Sequence, residues 1–147
     1  MKSGVAEGMQ NLRQQDRISL VVYAGASGVV LSPTAGDQRA VIDNAIDNLV
    51  AGGSTNGAAG IRLAYSLAEQ AFIKNGINRI LLATDGDFNV GTVNFEALKD
   101  LIEEKRQSGI SLTTLGFGTG NYNDHLMEQL AVSARPSPEN STAWVPG

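Results

Sequence analysis

The sequence predicts an α/β layered protein with a mostly parallel sheet. Three observations carry that expectation. Short apolar runs alternate with one-faced helical patterns, glycines fall between these segments more than inside them, and residues 79–84 (RILLAT) are apolar almost without a break. Such a run is the pattern of a strand covered on both faces of a parallel sheet. At 147 residues, with 42% hydrophobic and 18% charged residues, the chain has the size of one domain and the apolar content to build a core.

Taken in order, Val5, Met9 and Leu12 recur at helical spacing and end in a polar stretch, which predicts the last turns of a helix. Residues 17–24 (RISLVVYA) form a β-branched and aromatic run. A second extended segment at 28–31 is broken by Ser32-Pro33, and the short interval between the two predicts a hairpin. Val41, Ile42, Ala45, Ile46, Leu49 and Val50 then define one helix face, with Asp37 as the expected N-cap and Gly52-Gly53 as the stop. A second helix follows, with Ile61, Ala64, Tyr65, Ala68 and Phe72 on one side and Gly76 at the expected C′ position. The strand at 79–84 ends abruptly at Asp85-Gly86. A third helix is capped by Asn94, carries Phe95, Leu98, Leu101 and Ile102, and runs to Gly109; residues 110–117 read as another strand. A final helix at 124–131 presents Leu126, Met127, Leu130 and Ala131 to the core. Residues 133–147 hold three of the four prolines and read as a Pro/Ser-rich tail beyond a domain at 1–132, with residues 142–145 as an alternative edge strand.

Composition removes several classes of function. With no cysteine there is no disulfide framework and no thiolate metal site, so a metal would be held by oxygen or by the one histidine. A net charge of −4 and no basic run beyond Lys105-Arg106 leave no electrostatic footprint for nucleic acid. No apolar stretch reaches the length of a membrane span, and residues 1–16 lack the apolar centre of a signal peptide. Compartment is therefore left open.

In open α/β sheets ligands gather beyond the carboxyl ends of the strands, where helix N-termini supply backbone donors. Two segments qualify. In one, residues 84–89 (TDGDFN), Asp85 emerges directly from a strand and glycine turns the chain away. In the other, residues 52–56 (GGSTN), flexible backbone delivers hydroxyls to a helix start. A carboxylate and a hydroxyl from separate loops are hard oxygen ligands, suited to Mg2+ or Mn2+. The simpler reading makes Asp85 a turn former and Thr55 a helix N-cap.

These residues resemble the von Willebrand factor type A domain family, and the match is extended. DRISLVVYAG, GGSTN, TDGDFNVG and SLTTLGFGTGNYND occur in the family's order and spacing, over about residues 1 to 131, closest to bacterial members. The resemblance implies a three-layer, Rossmann-like sheet, mostly parallel with one antiparallel edge strand. It also implies a divalent-metal adhesion site (MIDAS) at the top of the sheet, where the ion takes a carboxylate from a protein partner. Thr55 then resembles the metal-site threonine and Asp85 the metal-site aspartate, with Ser54, Asp87 and Asn89 on the partner-binding rim. No aspartate here begins the family's Asp-x-Ser-x-Ser ligand stretch. The first central strand and its loop are expected to be missing, which makes the site incomplete and Mg2+ or Mn2+ weakly held.

In the family's strand order, 3-2-1-4-5-6, loss of strand 1 bares two strand edges. Unpaired backbone groups cost roughly 1–3 kcal/mol each, so the expectation is either direct pairing of the flanking strands or self-association through the exposed edges. A protein–protein interaction module is the favoured function. A metal-independent scaffold or self-associating fragment is the alternative, and no enzyme is expected because no nucleophile with a positioned base can be named. Gly116-Phe117-Gly118-Thr119-Gly120-Asn121 lacks the third glycine of a dinucleotide loop, and His125 has no triad partners at motif spacing.

Overall fold

The computed structural model describes residues 2–23, 28–50, 56–84, 95–116 and 124–134. Helix α1 (Lys2–Gly8) and a 3-10 turn (Met9–Asn11) lead into strand β1 (Arg17–Val22), which is followed by β2 (Gly28–Ala35), α2 (Arg39–Asp47) and α3 (Gly57–Gln70). Strand β3 (Asn78–Thr84), α4 (Phe95–Gln107), β4 (Ile110–Gly116) and α5 (Asp124–Ser133) complete the order. A strand pair, a helix pair and then alternating strands and helices thus follow in the order the apolar periodicity predicts.

β1 pairs with β2 antiparallel and β3 with β4 parallel. Among the described residues these are two separate two-stranded sheets, and the expected direct pairing of β1 with β3 is not seen there. The two sheets share a backing: α3 packs against all four strands. The C-terminal ends of β1 and β3 lie side by side, since the Tyr23 hydroxyl donates to the Ala83 carbonyl at 2.5 Å. β1, β3 and β4 therefore run toward one edge, with β2 opposed to them.

The core has two parts. One, built on α3, holds Ala58, Ile61, Tyr65, Leu82, Leu98, Ile102, Ile110, Leu112, Leu130 and Ala134. The other gathers Leu31, Ile42, Ala45 and Ile46, with Val5, Met9, Ile18 and Leu20 packed against it. On α4 the buried Leu98 and Ile102 stand four residues apart, the spacing of one helix face.

Several local expectations are corrected. β2 continues through Ser32-Pro33 to Ala35: it has one partner among the described residues, and a register shift between the Leu20–Leu31 and Ile18–Thr34 pairs absorbs the proline. The N-cap of α2 is Gln38, not Asp37, and the helix ends at Asp47, so Val50 (85% exposed) lies beyond its face; Val41 is also exposed. α3 ends at Gln70 with Ala71 as its C-cap, not near Gly76. Asn78 closes the connecting turn instead, accepting from Ile73 N at 2.9 Å and donating to Ile73 O at 2.9 Å, with Asn75 left-handed at φ 64°. Leu81 is 55% exposed although Leu82 is buried, so the described elements cover one face of β3 and not both.

Candidate functional site

The site expected from sequence lies where β1 and β3 end and α3 begins. Its residues Ser54, Thr55, Asp85, Asp87 and Asn89 lie outside the described residues. What the structure places is the framework on either side of them: Asn56, next after Thr55, and Thr84, next before Asp85.

α3 starts at Gly57 because Asn56 caps it. Its side-chain oxygen accepts from Ala59 N at 3.2 Å, satisfying one of the helix's free N–H groups. The expectation that Thr55 serves as that cap is thereby corrected.

Small residues follow the cap for a steric reason. Gly57, Ala58 and Gly60 are buried, and a Cβ on Gly60 would fall 2.5 Å from the Cβ of Tyr23. Glycine at 60 is what lets α3 approach the end of β1.

Tyr23 connects the two halves of this edge. Its backbone carbonyl accepts from Asn56 N at 2.9 Å, while its hydroxyl donates to Ala83 O at 2.5 Å. One residue thus ties the start of α3 to the end of β3. Sequence reading missed this role, treating Tyr23 as one member of a strand; the available signal was an aromatic beside the strand end with a glycine-rich helix start downstream.

Strand β3 is held to β4 through its full length, from the Asn78–Ile110 pair to the Thr84–Gly116 pair. The Asp85 loop therefore leaves a strand end fixed on one side by β4 and on the other by Tyr23. Among the described residues, no three histidine, aspartate or glutamate side chains converge to hold a metal ion. Among the described residues, the groups with shifted pKa values lie elsewhere. The Arg13 backbone N–H and guanidinium hold Asp16 below the usual carboxylate range, and a hydrogen bond to Glu69 raises Lys105.

An antiparallel β1–β2 pair and a parallel β3–β4 pair packed with helices, among the described residues, define a Rossmann-like α/β fold. The family model for the von Willebrand factor type A domain matches residues 1–143, and the chain belongs to that family. YfbK of Escherichia coli K12 is 50% identical over 123 residues, covering 84% of this chain and 21% of that protein. The sll0103 protein of Synechocystis is 28% identical over 137 residues, covering 93% of this chain and 32% of its own length. The chain thus spans about a fifth to a third of the length of the curated relatives it matches.

Among solved structures, BatB from Bacteroides thetaiotaomicron superposes with a TM-score of 0.68 at 14% identity, over 92% of this chain and 75% of that one. A von Willebrand factor type A protein from Catenulispora acidiphila gives 0.64 at 17% identity, over 90% of this chain and 37% of that one. These likenesses establish the fold. No helix among the described residues is long and apolar enough to cross a membrane.

Proposed function

We propose that this domain is a non-catalytic protein-recognition module whose binding face is the edge where β1, β3 and α3 meet. The observation that carries the reading is the junction at Tyr23, which brings the neighbours of both candidate loops to one place. Thr55 and Asp85 are the proposed metal positions, with Ser54, Asp87 and Asn89 on the rim. One carboxylate and one hydroxyl leave most of an octahedral Mg2+ or Mn2+ shell to water and to the partner's carboxylate, which makes the ion weakly held. The N-cap position of α3 belongs to Asn56 and not to Thr55, which fits this assignment.

The test is thermal unfolding with and without Mg2+ or Mn2+. An ion that binds only the folded state stabilises it, by ~1.4 kcal/mol when present at tenfold over its Kd. Millimolar metal is expected to raise the melting temperature of the wild type and to leave Thr55→Ala and Asp85→Ala unmoved. A melting temperature indifferent to metal in all three proteins would remove the metal from the proposal and favour the scaffold reading.

A second reading rests on a separate observation. β1 and β3 each have one paired edge among the described residues, and Leu81 is exposed on β3. Bare edges and an apolar strand face are sites of association, so self-association at this gap is the proposed alternative. Light scattering over a range of concentrations tests it: mass rising with concentration supports association, and constant monomer mass removes it.

A further inference from the structure

One candidate loop lies between α2 and α3 and the other follows β3, and no strand pairing among the described residues ties the end of β1, beside the start of α3, to the end of β3. β1–β2 and β3–β4 are separate ladders among the described residues. What crosses between them at the loop edge is the side chain of Tyr23. Neighbouring strands in a ladder sit ~4.8 Å apart; a phenol plus a hydrogen bond reaches further than that, so the clasp holds the two strand ends together without a ladder between them.

We infer that Tyr23 is a positioning residue that sets the start of α3 and the end of β3 in fixed relation, and through them the two loops of the proposed site. Three contacts converge on it: Asn56 N to its carbonyl at 2.9 Å, its hydroxyl to Ala83 O at 2.5 Å, and the close approach of Gly60 to its Cβ. The carbonyl and the steric contact survive in Tyr23→Phe. The hydroxyl bond does not. That variant therefore separates the clasp from the packing of the ring.

The inference rests on the reading of this edge as the binding face, and its test distinguishes the two. Amide hydrogen exchange is measured for the wild type, Tyr23→Phe and Ile46→Val, the last a mild loss in the other core cluster that serves as a stability control. Exchange at 56–60 and 80–84 is expected to rise about fivefold or more in Tyr23→Phe, the factor matching the ~1 kcal/mol net worth of one hydrogen bond, and to stay near wild type in Ile46→Val. Mn2+ affinity, read from melting shifts, is expected to fall at least about fivefold in Tyr23→Phe alone. Unchanged exchange in both segments, or wild-type Mn2+ affinity in Tyr23→Phe, overturns the positioning role. A wild type that shows no Mn2+ shift instead overturns the metal reading, and the exchange at the two segments then decides the clasp by itself.

Discussion

Tyr65 shows how a single buried group shapes the stability of this core. It is 1% exposed on α3, and its hydroxyl has no hydrogen-bond partner among the described residues. Burying such a group unpaired costs roughly 1–3 kcal/mol. Tyr65→Phe is accordingly expected to be neutral or to stabilise by up to ~1 kcal/mol in urea unfolding at pH 7, with any larger loss ruling out the unpaired hydroxyl. The same burial pushes the phenol's pKa up. The unfolded tyrosine ionises near pH 10, while the folded one resists, so this group's contribution to stability is intact below about pH 10 and is lost as pH rises above it. Tyr65→Phe should flatten that alkaline decline. The position was legible in sequence as part of a helical face, together with Ile61 and Ala68. Its missing partner was not, because hydrogen bonding depends on which strands lie beneath the helix.

Gly60 carries the opposite lesson at the same scale. Alanine favours a helix interior over glycine by about 1 kcal/mol, yet a Cβ here would meet Tyr23 Cβ at 2.5 Å. The clash is with the root of a side chain and does not relieve by rotation. Gly60→Ala is expected to destabilise by ~1–3 kcal/mol, as overpacking does. A stabilised Gly60→Ala in the same urea assay would mean that α3 and β1 are not in contact there.

At the level of elements, the joint between the N-terminal helix and α2 is made by one side chain. Arg39, the first residue of α2, donates from its guanidinium to the carbonyls of Met9, Gln10 and Leu12. Those carbonyls lie in and just after the 3-10 turn, where the Met9 carbonyl also accepts from Leu12 N at 3.3 Å. Lys2 adds a bond from its ammonium to Asp47 O at 3.1 Å, at the far end of α2. Arg39→Met keeps much of the stem's length and removes all three hydrogen bonds. It is expected to raise exchange across residues 2–12 while leaving β3 and β4 near wild type, and loss of about 1–3 kcal/mol should accompany it.

Element boundaries also mark where periodicity stops being informative. Helix faces and apolar strands follow from side-chain pattern, and all of the principal ones were legible. Ends depend on particular backbone contacts: Asn78 rather than Gly76 closes the turn after α3, and a bulge carries β2 past Pro33. Neither contact leaves a periodic trace. For the candidate site, the residue types and their order at strand and helix ends were readable. The joining of the two sides by Tyr23 was not, since it links positions sixty residues apart.

For the whole molecule, the decisive fact is that two sheets with separate core clusters, only one of which includes α3, both pack against that helix. α1, α2, β1 and β2 bury Ile42, Ala45 and Ile46 among themselves, whereas β3, β4, α4 and α5 bury Leu98, Ile102 and Leu130 against α3. Joined by α3 and the Tyr23 clasp but by no described ladder, the halves have unequal stakes in each other. Truncating a buried isoleucine or leucine costs about 2–5 kcal/mol wherever it lies, so the informative quantity is where the damage spreads. Ile42→Ala is expected to raise amide exchange in α1, α2, β1 and β2 by more than in β3, β4 and α4. Leu98→Ala strikes the cluster that includes α3, on which both sheets rest, and is expected to raise exchange in both halves. Partial opening of this kind is the behaviour of cooperative units that unfold below the global free energy. Equal acceleration everywhere in Ile42→Ala would show instead that the gap between the sheets is mechanically closed and that the domain unfolds as a single unit.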